Sequence, residues 1–236
     1  MQASALGVLG LGFVLGLRHA LDVDHVAAVS TIVTQRRSLW ASSLVGAVWG
    51  LGHTASLLAV ALLVIGLRAE IPPRVSAGFE LGVAAMLVGL GADLLWTMAR
   101  GGRLHVHVHV HAHGGRAHVH PHVHADAHAS EGHHHRVRTG RRPFLVGLVH
   151  GLAGSAAVML AVLATIPSRP LALAYVGVFG VGSIAGMLAM GALLGLPLAL
   201  AAERFARAET LLRIGAGLGS VTVGVLLALE IGSTFF

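Results

Sequence analysis

The sequence predicts an all-α, polytopic membrane helix bundle of about six transmembrane helices, with a His-rich loop between the third and fourth spans. Three observations predict it. Hydrophobic residues fill 55% of the 236 positions and charged residues only 11%, with a mean hydropathy of +0.80, whereas a soluble domain carries about 25% charged residues. The apolar residues run in long charge-poor blocks, and a bilayer-crossing helix needs about 20 of them. Segments containing Arg, Pro or both separate the blocks.

The first block, 3–33, has no basic stretch before it and leads from its apolar run into polar residues instead of a small-residue cleavage site, so it reads as a span and not as a secretory signal. Division at Arg18 would leave two pieces of about 15 residues, each too short to cross a bilayer. One helix, intact or broken, is therefore expected. Blocks 41–67 and 75–99 complete a first half, residues 1–99. Segment 100–142 is the His-rich loop, and blocks 143–166, 171–199 and 210–234 form a second half, residues 143–236. Six spans put the connections 34–40, 100–142 and 200–209 on one side with eleven Arg, against Arg68, Arg74 and Arg169 on the other. The positive-inside rule then makes the first side cytoplasmic in a cell (inner or plasma) membrane, with both termini outside. Gly12/Gly16, Gly46/Gly50, Gly78/Gly82, Gly147/Gly151, Gly182/Gly186 and Gly191/Gly195 have GxxxG spacing, which lets helices approach closely in lipid. Around His150, Gly147, Gly151 and Gly154 also make local unwinding cheap.

Composition excludes whole mechanisms. All 16 basic residues are Arg, and without Lys there is no Walker A loop and no Schiff-base lysine. Without Cys there are no disulfides, Fe–S clusters or thiolate metal sites. Neither H-E-x-x-H nor a nucleophile with its base is present, so an enzyme, and with it a catalytic cofactor, is not expected. Nucleic acid is likewise excluded as a partner; the lipid bilayer and a divalent metal ion are the expected ones.

The 17 histidines divide in a way that carries the functional signal. His19, His25, His53 and His150 lie inside spans. The other thirteen, His105, His107, His109, His111, His113, His118, His120, His122, His124, His128, His133, His134 and His135, lie in the loop. Arg18-His19-Ala20-Leu21-Asp22-Val23-Asp24-His25 puts five ionisable groups near the middle of a span, each costing about 2.5–3.5 kcal/mol on insertion scales. Such a cluster needs mutual pairing, a cavity or a metal. On a regular helix Asp24 faces away from His19, Asp22 and His25, and His19 and His25 are separated by about 9 Å of rise. Either the helix unwinds here or two successive sites lie along a path. Imidazole with carboxylate suits Ni²⁺, Co²⁺ or Zn²⁺; the alternative is a structural Arg18–Asp22 pair. A metal at that depth needs ligands from facing helices, and His53 and His150 are the other imidazoles available, although each could instead be a helix-contact histidine. The metal set read from the sequence is thus His19, Asp22, Asp24, His25, His53 and His150. Glu80, Asp93 and Glu230 read as interfacial groups near span ends, Glu80 with the option of pairing with Arg18.

The loop lacks an apolar core and is expected to be disordered without metal. In HVHVHVHAH, alternate imidazoles fall on one side of any extended stretch, which suits multidentate metal buffering. Its affinity should weaken near the imidazole pKa of about 6.5, because protonated His cannot ligate.

At these residues the chain resembles the nickel/cobalt transporter family, whose H-x4-D-H signature stands here as His19 to His25, with Val23 in place of the usual small residue. Leu51-Gly52-His53-Thr54 is similar to the family's motif on the next span. His150-Gly151-Leu152-Ala153-Gly154-Ser155-Ala156-Ala157 resembles the short six-span branch of urease accessory membrane proteins. The stretches corresponding to the acidic later motifs of the larger permeases, including Gly186-Met187-Leu188-Ala189-Met190-Gly191, carry no carboxylate here. The resemblance implies a transporter of Ni²⁺, with Co²⁺ second, as cargo and not as cofactor. It implies uptake through the span histidines into a cytoplasmic His-rich buffer, with urease or hydrogenase metallochaperones as partners. Efflux of the same ions, or a membrane metallochaperone or sensor, is the alternative.

Overall fold

The computed structural model describes residues 5–36, 38–67, 72–100, 105–109, 118–122, 140–153, 162, 165–204 and 206–235. The apolar blocks are helices: α1 Ala5–His19, α2 Val23–Val33, α3 Leu39–Leu67, α4 Pro73–Ala99, α5 Arg141–His150, α6 Arg169–Arg204 and α7 Ala206–Phe235. A proline opens α4, where its missing N–H belongs to the unpaired first turn. The helices α3, α4, α6 and α7 are each long and apolar enough to cross a bilayer, and α1 with α2 qualifies as a fifth, broken span bent by 55°. The block at 143–166 is represented by α5 and the turn after it; residues 154–161, 163 and 164, Gly154 among them, lie outside the described residues. Only 22% of the apolar window of α7 is buried within the molecule, and Leu211, Leu218, Leu226 and Leu229 point outward. This is a multi-pass membrane protein whose apolar surface faces lipid.

The break in the first span falls at Ala20–Asp22. Asp22 is extended, with φ −61° and ψ 145°. The Leu21 N–H donates to the Arg18 carbonyl and the Asp22 N–H to the His19 carbonyl, at 2.9 and 3.1 Å, before Val26 N–H takes up the Asp22 carbonyl at 3.0 Å. In a membrane, irregular backbone survives only where its polar groups find partners inside the protein, and these turns supply them.

Glycines set how the helices meet. Five of the six GxxxG pairs lie against another helix, whereas Gly78 and Gly82 have, among the described residues, no atom within 4 Å of where a Cβ would stand. The contacts come in reciprocal pairs. Gly16 of α1 lies on the Phe179 carbonyl of α6, and Gly147 of α5 lies on the Trp49 carbonyl of α3. Gly182 of α6 faces Phe13 and Leu17 of α1, and Gly52 of α3 faces Phe144 and Leu148 of α5. Gly91 of α4 meets Gly217 and Val221 of α7, and Gly224 of α7 meets Ala84 and Val88 of α4. Reciprocity of this kind is what a two-fold axis produces. The chain repeats itself accordingly: Gly16-Leu17-Arg18-His19 matches Gly147-Leu148-Val149-His150, and Trp49-Gly50-Leu51-Gly52 matches Phe179-Gly180-Val181-Gly182. The α1–α6 and α3–α5 contacts are thus built on the same short patterns.

In the His-rich segment, strands β1 His105–His109 and β2 His118–His122 pair antiparallel with His107 opposite His120. His111, His113, His124, His128, His133, His134 and His135 lie outside the described residues.

A Cβ on Gly52 would overlap the Phe144 carbonyl, and overpacking of this kind costs about 1–3 kcal/mol. Gly52→Ala should therefore lower the apparent melting temperature in detergent. Gly78→Ala should leave it unchanged or raise it, since Ala is favoured over Gly in a helix by about 1 kcal/mol. The reverse order, read by scanning fluorimetry, would contradict the packing described.

Candidate metal centre

The close α3–α5 and α1–α6 contacts bring four imidazoles from four helices to one place. His25, His53 and His150 are fully buried, and His19 is 6% exposed. Ring centroids lie 4.5 Å apart for His19 and His25, 5.1 Å for His19 and His53, 5.0 Å for His25 and His53, and 4.1 Å for His25 and His150. All six residues of the sequence-predicted set converge here.

The helix break is what turns the carboxylates inward. Asp22 occupies the N-cap of α2 but makes no capping bond; its Oδ2 accepts the His19 Nδ1–H at 2.8 Å. Asp24, in the first turn of α2, accepts the His25 Nδ1–H and backbone N–H on Oδ1, each at 2.9 Å. Its Oδ2 accepts the His150 Nε2–H at 2.9 Å. A carboxylate in the first turn also benefits from the positive end of the helix dipole. Arg18 is exposed, and the Asp22 bond goes to His19 instead. Glu80 accepts from Ser76, and Asp93 pairs with Arg142 across α4 and α5 at 2.7 Å. Neither belongs to the cluster.

These bonds assign the ring protons. An ionised carboxylate only accepts, so His19 and His25 carry hydrogen on Nδ1 and His150 on Nε2. In the neutral ring the other nitrogen then offers a lone pair. The His53 Nε2–H donates to His19 Nε2 at 3.1 Å, while His25 Nε2, His53 Nδ1 and His150 Nδ1 are buried without a hydrogen-bond partner among the described residues. Unpartnered lone pairs beside carboxylate-oriented imidazoles are the arrangement of metal-binding histidines, whose other N–H is held by a carboxylate. Two groups have ligand atoms within 4.8 Å of one another: His19, His25 and His53, and Asp24, His25 and His150. Imidazole nitrogens sit about 2.0–2.1 Å from a first-row ion, so ligands on one ion lie up to roughly 4 Å apart. Each group is therefore a candidate cation position. Nitrogen-rich sites with little oxygen suit Ni²⁺, Co²⁺ or Zn²⁺.

Two residues that sequence reasoning missed complete the walls. Trp49, fully buried, has its ring 5.3 Å from both His25 and His150, and Phe179 lies 5.5 Å from His19. Trp49 stands one helical turn before His53, on the same face; that spacing was the available signal.

The chain is 34% identical over 238 residues to urease accessory protein UreH of Bacillus sp. (strain TB-90), covering 99% of this chain and 95% of that protein. It is 28% identical over 95 residues to the high-affinity nickel transport protein of Cupriavidus necator, covering 40% and 26% of the two chains. To the nickel transporter NicT of Mycobacterium tuberculosis it is 38% identical over 74 residues, 30% and 20% of the two chains. No family model matches the chain. No solved structure matches it either.

Asp24→Asn tests the centre directly. An amide nitrogen donates, so one of the two imidazoles facing Asp24 would meet a donor, and loss of such an orienting partner costs about 10–100-fold in metal affinity. The measurement is ⁶³Ni²⁺ equilibrium dialysis of full-length protein whose thirteen loop histidines are changed to Asn, so that only the span site is read. Unchanged affinity would refute the orienting role.

Proposed function

This chain belongs to the nickel/cobalt transporter family, in its UreH branch, and on that premise we propose that it carries Ni²⁺, with Co²⁺ as a second cargo, inward across a cell membrane to supply the assembly of urease. The observation that carries the reading is the buried imidazole cluster at the break of the first span, with three unpartnered ring nitrogens. Ionisable groups at that depth are costly enough to mark an ion pathway. The partial relatives are named nickel transporters, and the full-length relative is named a urease accessory protein. Within this chain His19, His25, His53 and His150 would bind the passing ion, Asp22 and Asp24 would hold the rings, and Trp49 and Phe179 would exclude water.

Uptake needs no ATP. A divalent ion moving into an inside-negative cell gains about 2.3 kcal/mol per charge per 100 mV, hence roughly 4.6 kcal/mol at 100 mV, or about a 2000-fold gradient. The eleven-to-three Arg distribution supports a cytoplasmic His-rich segment. There thirteen imidazoles would retain the delivered metal and pass it to metallochaperones.

Cells expressing the protein should accumulate ⁶³Ni²⁺, and His25→Ala at matched membrane abundance should fall to the level of cells without the gene. Collapse of the membrane potential should abolish the accumulation. Export of preloaded nickel, faster with the protein than without it, would reverse the direction.

Since the chain has no cysteine, Gly114→Cys supplies a single thiol for topology. It should resist impermeant maleimide in intact cells and react after permeabilisation. Labelling from outside would overturn the buffer role.

A further inference from the structure

The four imidazoles are not one ring of ligands. They form two groups that share His25: His19 and His53 complete one, Asp24 and His150 the other. His53 and His150, at opposite ends, have centroids 5.9 Å apart, whereas His25 is 5.0 and 4.1 Å from them.

The repeat gives this pairing a meaning. His19 and His150 occupy equivalent places in the two halves, each three residues after a glycine seated on an aromatic residue's carbonyl, Gly16 on Phe179 and Gly147 on Trp49. Each also packs against that same aromatic ring, at 5.5 Å for His19 and 5.3 Å for His150. The two ligand groups are therefore built on equivalent histidines of opposite halves. His25 has no such counterpart, since His150 is the one histidine in the spans of the second half. It lies between the groups and belongs to both.

We propose that the cluster is two successive cation positions, one anchored by His19 and one by His150, and that the ion passes between them by keeping His25 while exchanging His19 and His53 for His150, with Asp24 holding the His25 and His150 rings throughout. This deepens the transport reading and rests on it. Nδ1 of His25 is held by Asp24, which leaves one lone pair, on Nε2, for metal. One imidazole lone pair binds one cation, so the positions are filled in turn and not together. A shared ligand lets the ion move without ever being stripped bare in a low-dielectric interior, where an unpaired charge is most costly. In transporters built from repeats, ion sites lie between the halves, which is where this pair stands.

The test uses the full-length chain with the thirteen loop histidines changed to Asn, purified in detergent, with ⁶³Ni²⁺ for stoichiometry and Co²⁺ absorption for ligand environment. The parent should bind one Ni²⁺ per chain. His53→Gln and His150→Gln should each still bind one Ni²⁺, with Co²⁺ spectra that differ from each other, yet each should lose ⁶³Ni²⁺ uptake in cells. His25→Gln should lose both binding and uptake. His→Asn variants replace any Gln variant that does not elute like the parent on gel filtration. Complete loss of binding in both His53→Gln and His150→Gln would mean a single site that needs every ligand, and would overturn the proposal. So would binding retained by His25→Gln, or uptake retained by either end variant. A parent that binds no Ni²⁺ and supports no uptake would instead sink the transport reading itself.

Discussion

A carboxylate placed among apolar helices must be met by hydrogen-bond donors, and Asp24 is met by three: the backbone N–H and ring of His25, and the ring of His150. Most of the centre depends on that requirement. An unbroken first span would point Asp24 away from His25, so the chain turns at Ala20–Asp22 and restarts as α2. The restart places Asp24 where helix N-terminal N–H groups favour an anion. It also spends the N-cap carboxylate of Asp22 on His19 instead of on the helix, forgoing a stabilisation typically worth about 1 kcal/mol. Local stability yields to the geometry of the rings.

Glycine makes the second condition possible. His150 reaches Asp24 because α5 lies on α3 backbone to backbone, with Gly147 on Trp49, Gly151 on His53 and Gly52 on Phe144. Without a hydrophobic drive between helices in lipid, close packing of this kind does the work of holding them. The same contacts recur between α1 and α6, and the repeat has diverged at the residues that matter. Ser183 follows Gly182 where His53 follows Gly52; its hydroxyl donates to the Phe179 carbonyl of its own helix, and His53 donates to His19. One half carries most of the polar chemistry, and the other supplies the wall and one histidine.

The apolar blocks and the H-x4-D-H cluster were legible because composition and the cost of buried charge are properties of sequence. The bend stayed open as one of two readings, since GLRHALDVDHV carries no proline or internal glycine at the turn, and the partner that fixes Asp24 on its inner side, His150, comes from a distant helix. The side Asp24 faces follows from the bend, so it stayed open with it. Gly78/Gly82 had the spacing of a packing pair and faces open space; spacing alone does not say whether a helix lies opposite. The repeat is present in the sequence, but its matched stretches are short and share mostly glycine, which is common in membrane spans. The reciprocal contacts make it visible.

Both oxygens of Asp24 are already occupied by imidazole N–H groups, and one oxygen of Asp22 is as well. Mg²⁺ and Ca²⁺ ask for six or more oxygens, and Mg²⁺ sheds its water reluctantly. A pocket that turns its carboxylates toward its own histidines and its nitrogens toward the ion offers those abundant cations almost nothing to bind. Discrimination against them would then need no measurement of ionic radius: with both Asp24 oxygens taken, the site has too little free oxygen for a hard ion.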